Sequence, residues 1–294
     1  MKSVIKSANI FVLNFFNFIF TSKFKNNLRV LAYHDVKEPA LFEKQISYLL
    51  SAGYNFITIN QLFENLYHQT PLPSKPVLIT FDDGDVSVLE NGLPILTKYQ
   101  LPSVLFVVTE LIDSNKPFWW DKIIQSLKKD GANTDSINQA VKIAKNKSNQ
   151  ERLIFLKEFK ELESRQLTLN DLLFLQENNM SICNHSHTHP MFDKCTETEI
   201  ETELNHTKDK FQKWGIDGFT YFAYPNGNNN DIIKKKLADA GIKLVFLFDH
   251  ALNKEKIDPL SISRIRVNAH AELGEFKVKI SGLHSFLMGL KQRV

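Results

Sequence analysis

Two periodicities alternate along this chain. Short, nearly uninterrupted apolar runs of strand length occur at residues 28–33, 56–59, 77–81, 103–108, 180–184, 219–224, 243–248 and 262–267. They are rich in β-branched and aromatic residues and carry few charges, the pattern of strands buried on both faces. Between them lie stretches with helical spacing, at 42–52, 61–67, 89–99, 169–177, 197–214 and 231–240. Thr196 precedes one of these helices as an N-cap with acids in the first turn, and Gly53 and Gly241 close two others. Apolar strands regularly followed by helices predict a parallel sheet covered by helices, with any chemistry at the C-terminal strand ends.

The alternation breaks in three places. Residues 117–165 are charged and helical throughout and open with Phe118-Trp119-Trp120, so this stretch reads as a helical insertion within one domain. Residues 8–20 are apolar but interrupted by Asn9, Asn14 and Asn17, and flanked by Lys2, Lys6, Lys23 and Lys25. That run falls short of the roughly 20 residues that cross a bilayer. No small-x-small site follows it, so it reads as a retained helix, with a cleaved signal segment as the alternative. Residues 276–290 read as an amphipathic tail helix with basic residues at its end. The expected organisation is an apolar helix over 1–27, a barrel over 28–270 carrying the insertion, and a terminal helix over 271–294.

Two of the strand ends carry chemistry. The run Val77-Leu78-Ile79-Thr80-Phe81 finishes in Asp82-Asp83-Gly84. Neighbours on a strand point to opposite faces, so the two carboxylates cannot share one role; one can bind a metal while the other acts as a base. An acidic turn is the simpler reading of that run alone, since Asp-Gly is a common turn pair. The run from Met180 ends in His185-Ser186-His187-Thr188-His189, which places three of the nine histidines within five residues. Packing rarely calls for such a cluster, whereas two imidazoles and a carboxylate form a facial set that leaves metal positions open.

Thr80-Phe81-Asp82-Asp83-Gly84 resembles the first signature of the polysaccharide deacetylase family, the NodB-like carbohydrate esterases. His185-Ser186-His187-Thr188-His189 is similar to the second, and Phe222-Ala223-Tyr224-Pro225-Asn226-Gly227 to the third. The resemblance covers residues 28–267 and implies a distorted (β/α) barrel of about seven strands. It also implies that Asp83, His185 and His189 ligate a divalent metal and that Asp82 is the base. Tyr224, Pro225 and Asn226 would form the substrate-binding and oxyanion turn. Zinc suits such a ligand set, and cobalt or nickel would suit it too. His187 falls at a position the motif leaves free. In two respects the chain departs from the family. Ala223 stands where many members carry the arginine that orients the base; Arg264 or Arg266 is the candidate replacement. The late acid histidine has no clear match, and His34 is the first candidate for that role, His270 the second.

Composition narrows the reading only a little. A net charge of +3 gives no footprint for nucleic acid. Cys183 and Cys195 are the only cysteines; Cys183 reads as a small core residue, and no disulfide framework is suggested. The expected activity is metal-dependent removal of N-acetyl groups from an amino-sugar glycan or a lipid-linked saccharide. The alternatives are hydrolysis of a non-peptide C–N bond in a small molecule, and an inactive carbohydrate-binding domain. The expected place is the cytoplasm or the cytoplasmic membrane surface; the terminal helices either close the barrel ends or make peripheral contact with a membrane. A secreted or periplasmic location would follow if residues 1–22 are a signal.

Overall fold

The computed structural model describes residues 21, 23–160, 162–283 and 285. The apolar helix expected over 8–20 and most of the tail beyond 283 lie outside these residues. In chain order the elements are β1 (Arg29–Tyr33), α1 (Pro39–Ser51), β2 (Asn55–Phe56), α2 (Ile59–His68), β3 (Pro76–Phe81), α3 (Leu93–Lys98) and β4 (Ser103–Val107). The insertion supplies α4 (Trp119–Lys129), α5 (Thr134–Asn146) and α6 (Asn149–Phe155). Then follow α7 (Leu169–Glu177), β5 (Met180–Asn184), α8 (Glu197–Trp214), β6 (Tyr221–Ala223), α9 (Asp231–Asp239), β7 (Leu244–Phe246), β8 (Ile265–Arg266) and α10 (Leu273–Ile280).

All strand pairings are parallel, in the order β7-β6-β5-β4-β3-β1-β8, with β2 on the N-terminal half of β3. The expected strand over 262–267 is split. Ile262 bridges Phe246 of β7, and only Ile265–Arg266 pairs with β1. This irregular segment therefore runs from one edge of the sheet to the other and closes the ring. Leu247 N–H donates to the Ile262 carbonyl at 2.8 Å on one side, and Val267 N–H to the Ala32 carbonyl at 3.1 Å on the other. The result is the distorted (β/α) barrel that the resemblance implies, with seven strands in the ring and β2 beside β3.

Period-two alternation sorts the core. Val30, Leu78, Val104, Phe106, Cys183, Ala223, Leu244 and Phe246 fill the interior of the barrel. Leu31, Tyr33, Val77, Ile79, Phe81, Leu105 and Ile182 face the covering helices. The helix expected over 89–99 starts as a π-helical turn at Val88–Gly92 and becomes α-helical only at Leu93, because Pro94 has no N–H and belongs in a first turn. The helix expected at 276–290 begins earlier, at Leu273, and stops at Ile280 before Gly282, whose φ is +90°. The insertion has a small core of its own, Trp119, Ile123, Ala144 and Leu156, which includes Met191 from just beyond the histidine run. No described helix is long and apolar enough to cross a membrane.

Gly218 precedes β6 where the chain passes close to β5. A Cβ there would fall 1.8 Å from the Ile182 carbonyl oxygen and 3.2 Å from the Phe211 ring. Gly218→Ala must push β5 aside and is expected to cost about 3 kcal/mol of stability, read as a lowered urea midpoint. Unchanged stability would mean that this approach is looser than described.

Candidate metal centre

Register sets where the site lies. Tyr33 pairs with Phe81, Phe81 with Leu105, Val107 with Asn184, and Asn184 with Phe222. The residues that follow, His34, Asp82-Asp83, His185 and Tyr224, therefore emerge together at the C-terminal mouth. Asp82 continues the inward-facing set of β3 and is 2% exposed. Asp83 turns away from it with φ +74°, and Gly84 follows at φ +94°. Two adjacent left-handed residues reverse the chain so that the second carboxylate lies over the mouth of the barrel.

The histidine loop is built by similar means. β5 ends at Asn184, and Ser186 and His189 both take positive φ, 71° and 54°. Glu203, buried on α8, accepts the N–H groups of His187 and Thr188, each at 2.9 Å, and the Thr188 hydroxyl at 2.7 Å. Ser186 N–H donates to Asn184 Oδ1 at 2.7 Å, and His189 N–H to Ser186 Oγ at 3.0 Å. One carboxylate and two short side chains thus satisfy the donors that this non-helical loop buries.

This brings three of the expected residues together. Nε2 of His185 and Nε2 of His189 each lie 3.3 Å from Asp83 Oδ1. The three ligating atoms fall within 4.8 Å of one another. Nδ1–H of His185 donates to the Ala223 carbonyl at 2.9 Å, which aims the Nε2 lone pair at Asp83. Asp83 Oδ1 is buried and has no hydrogen-bond partner. An orphaned carboxylate oxygen facing two imidazole nitrogens fits a divalent cation and would be costly to bury for any other purpose. Burial pushes the Asp83 carboxyl up, but the two imidazoles pull it well below the ordinary carboxylate range.

Arg264, a candidate at the sequence level, lies inside the barrel and is fully buried. Its Nη1 and Nη2 reach Asp82 Oδ1 and Oδ2 at 2.6 and 2.8 Å, a bidentate pair, and its Nε donates to the Leu247 carbonyl at 2.7 Å. Burial raises the Asp82 carboxyl, and the guanidinium and His185 outweigh it, so Asp82 ends below its usual value. Ala223 sits in the same barrel interior. The arginine position of the third motif is empty here, and the guanidinium arrives from the closing segment instead.

The remaining candidates divide. His34 lines a cleft of about 410 Å³ above the three ligands, its ring edge-on to Phe248 at 5.4 Å. Tyr224 and Asn226 line the same cleft, while Pro225 is buried beneath the turn. Asn226 has φ 56°, and its Oδ1 accepts from Lys145 Nζ at 2.8 Å. Arg266 is exposed on the cleft rim, not against Asp82, because Ile265–Arg266 pairs with β1 and carries Arg266 past the interior. His270 does not line the cleft; it is exposed in a turn after the closing segment. His187 hydrogen-bonds Thr109 Oγ1 at 2.9 Å and packs on His206, away from Asp83. Cys183 lies in the barrel core and Cys195 Sγ donates to the Met191 carbonyl, so neither thiol joins the three ligands.

Several cleft residues were not singled out by sequence. The insertion supplies Trp119, Trp120, Asp121 and Lys145. Trp119 Nε1–H donates to the His189 carbonyl at 3.1 Å, and the Trp120 ring lies edge-on to His189 at 4.7 Å. The Phe-Trp-Trp run was a visible signal, but nothing local says that it docks on a histidine loop 70 residues away. Glu203 gave no signal at all, being one of several acids on a charged helix.

The sequence profile of the family described as "Polysaccharide deacetylase" matches residues 69–245, more than half of the chain. Over 107 residues the chain is 35% identical to a poly-beta-1,6-N-acetyl-D-glucosamine N-deacetylase of Staphylococcus aureus, which is 36% of this chain and 33% of that protein. A Staphylococcus epidermidis enzyme of the same name is 33% identical over 73 residues, a quarter of each chain. The chain thus spans about a third of the length of the first of these relatives, or less. Among solved structures, IcaB from Ammonifex degensii superposes with a TM-score of 0.62 at 20% identity, covering 87% of this chain and 96% of that one. The Streptococcus pyogenes deacetylase PplD in complex with acetate gives 0.60 at 20% identity, covering 89% and 97%. At that identity the likeness is one of fold.

His185→Ala or His189→Ala removes an imidazole at the barrel mouth, outside the core. Each variant is expected to fold with nearly wild-type stability but to hold less than about a tenth of a molar equivalent of zinc after dialysis, as read by elemental analysis. Full metal stoichiometry in either would remove that histidine from the ligand set. With the strand-end chemistry, the matched profile and the barrel in agreement, the chain belongs to the polysaccharide deacetylase family.

Proposed function

We propose that this protein is a metal-dependent hydrolase that removes N-acetyl groups from an amino-sugar glycan, with a polymer of N-acetylglucosamine as the first candidate. The observation that carries the proposal is the Asp83–His185–His189 set at the floor of an open cleft, beside a separate carboxylate held ionised by Arg264. The relatives named for poly-beta-1,6-N-acetylglucosamine support the substrate class.

Amide hydrolysis needs an electrophile, a nucleophile, a base and an acid. Asp83, His185 and His189 would hold the cation, and zinc suits two imidazoles with one carboxylate, as cobalt or nickel also would. When bound there, a divalent cation polarises the amide carbonyl and lowers the pKa of water. Asp82 accepts the proton that the attacking water loses; the Arg264 fork fixes both its oxygens and keeps it charged at neutral pH. His34 lines the cleft and is assigned to protonate the departing amine. The turn at Tyr224, Pro225 and Asn226 positions backbone beside the carbonyl oxygen. Trp119 and Trp120 close the cleft on the histidine side and exclude water there.

Asp82→Asn is expected to keep its metal and lose about 10²–10⁴-fold in kcat on N-acetylglucosamine oligomers, measured as acetate release. Turnover equal to wild type would give the proton to another group. Arg264→Met tests the electrostatics. The wild-type Asp82 carboxyl titrates below its ordinary 3.8, so its stabilising charge is present above that value and is lost only as pH falls through the lower folded value. Without the guanidinium, burial dominates and Asp82 titrates higher. The acid limb of kcat/KM should then move to higher pH, and the fold should lose about 3–5 kcal/mol for the unpaired buried charge. An unmoved acid limb would show that Arg264 does not set the ionisation of the base.

A further inference from the structure

The lining of the cleft carries both signs of charge. Asp35, Asp85 and Asp121 are acidic, with Lys37 paired to Asp35 at 2.8 Å. Lys145 and Arg266 are basic. Lys145 comes from α5 of the insertion and its ammonium meets the neutral Asn226 Oδ1 at 2.8 Å, bridging the insertion to the β6 turn. Arg266 comes from β8, its guanidinium over the Phe248 ring at 5.7 Å. Among the described residues neither cation has a carboxylate partner. Burial, and then the neighbouring Arg266 charge, lower the Lys145 ammonium below its ordinary value, although Asp83 acts in the other direction. Two neighbouring cations with no carboxylate in ion-pair contact repel one another, and a half-buried one is desolvated as well. Substrate-borne charge is the natural counterpart.

We propose that Lys145 and Arg266 form an anion subsite in the cleft, and that it takes a carboxylate or phosphate carried by the saccharide next to the N-acetylated sugar. The inference rests on the proposed deacetylase reading and refines its substrate class from a neutral glucosamine polymer to an acidic saccharide. The geometry has a natural division of labour. Lys145 already spends one donor on Asn226, which leaves two ammonium protons for an oxyanion. Arg266 offers a planar fork suited to bidentate carboxylate or phosphate. Asn226 ties this subsite to the turn beside the reacting carbonyl, so occupancy one sugar away aligns the amide over the three ligands.

The test compares two probes on the metal-loaded full chain. One is the neutral tetramer of N-acetylglucosamine; the other is a tetrasaccharide of alternating N-acetylglucosamine and glucuronic acid. Binding is read by calorimetry, independently of acetate release. At low salt the acidic probe is expected to bind about tenfold more tightly, and the preference should shrink at 0.5 M salt. Lys145→Met and Arg266→Met should each reduce the acidic-to-neutral ratio severalfold, and Lys145→Arg should restore it. Equal binding of the two probes by the wild type overturns the subsite. So does a Lys145→Met variant that loses affinity for both probes in the same proportion, since that is the signature of a purely structural strut. Selective binding without acetate release from either probe would leave the subsite standing and count against the deacetylase reading.

Discussion

The site depends on a buried ion pair at the top of the barrel interior. Asp82 must face inward, because the period of β3 puts it on the same side as Leu78 and Thr80. A carboxylate in that position loses its hydration and on its own would take up a proton. Arg264 prevents this. Its guanidinium lies 5.6 Å from both the Phe106 and Phe248 ring centroids, so that the cation is held by aromatic faces while its edge meets Asp82. The same residue donates to Leu247 beyond β7, and its own N–H reaches Asp249 Oδ1 at 3.2 Å. Arg264 lies on the segment that closes the ring, so the contact that sets the charge of Asp82 also pins barrel closure. Fold and reactivity share one interaction, and neither can be altered there without the other.

Around that pair the mouth is shaped by backbone that strands cannot provide. Asp83, Ser186, His189 and Asn226 all have left-handed φ, a conformation that costs each of these side chains about 1 kcal/mol or more. The compensation is visible in the hydrogen bonds. Glu203 accepts three donors from His187 and Thr188, Ser186 Oγ accepts from His189, and Trp119 Nε1 reaches the His189 carbonyl. Burial raises the Glu203 carboxyl although those donors pull it down, so its position is stabilised only while the loop is in place. The two histidines are therefore held by a rigid frame before any metal arrives.

Much of this was legible in the residues. The uninterrupted runs at β1, β3, β4 and β5 gave a parallel sheet, and the Thr196 cap fixed one helix start. The acid pair and the histidine cluster could be placed at strand ends because strand length and periodicity are local properties. What sequence could not decide was orientation beyond a strand end. By strict alternation His187 would share a face with His185 and His189, but β5 stops at Asn184 and the left-handed Ser186 turns His187 toward Thr109. Arg264 and Arg266 have equal parity and equal chemistry. Only the break in the closing segment separates the buried partner of Asp82 from the exposed rim residue. His34 and His270 were likewise separable only once that closure was known.

The insertion follows the same logic of position. It leaves the barrel after β4, and β4 lies between β3, which carries the carboxylates, and β5, which carries the histidines. Any folded segment that emerges there has the metal set directly beneath it. Its first helix meets the histidine loop through Trp119 and Trp120, and α5 then crosses to the far side, where Lys145 meets Asn226. The β6 turn lies beyond β5 and β8 stands across the ring from β4, so a single helix could not have reached from β4 to both. Three helices with their own small core make the span, and they turn an open barrel mouth into a cleft with distinct sides. Strand order thus determines what the insertion covers, and its length determines how far round the mouth the chain can place a charge.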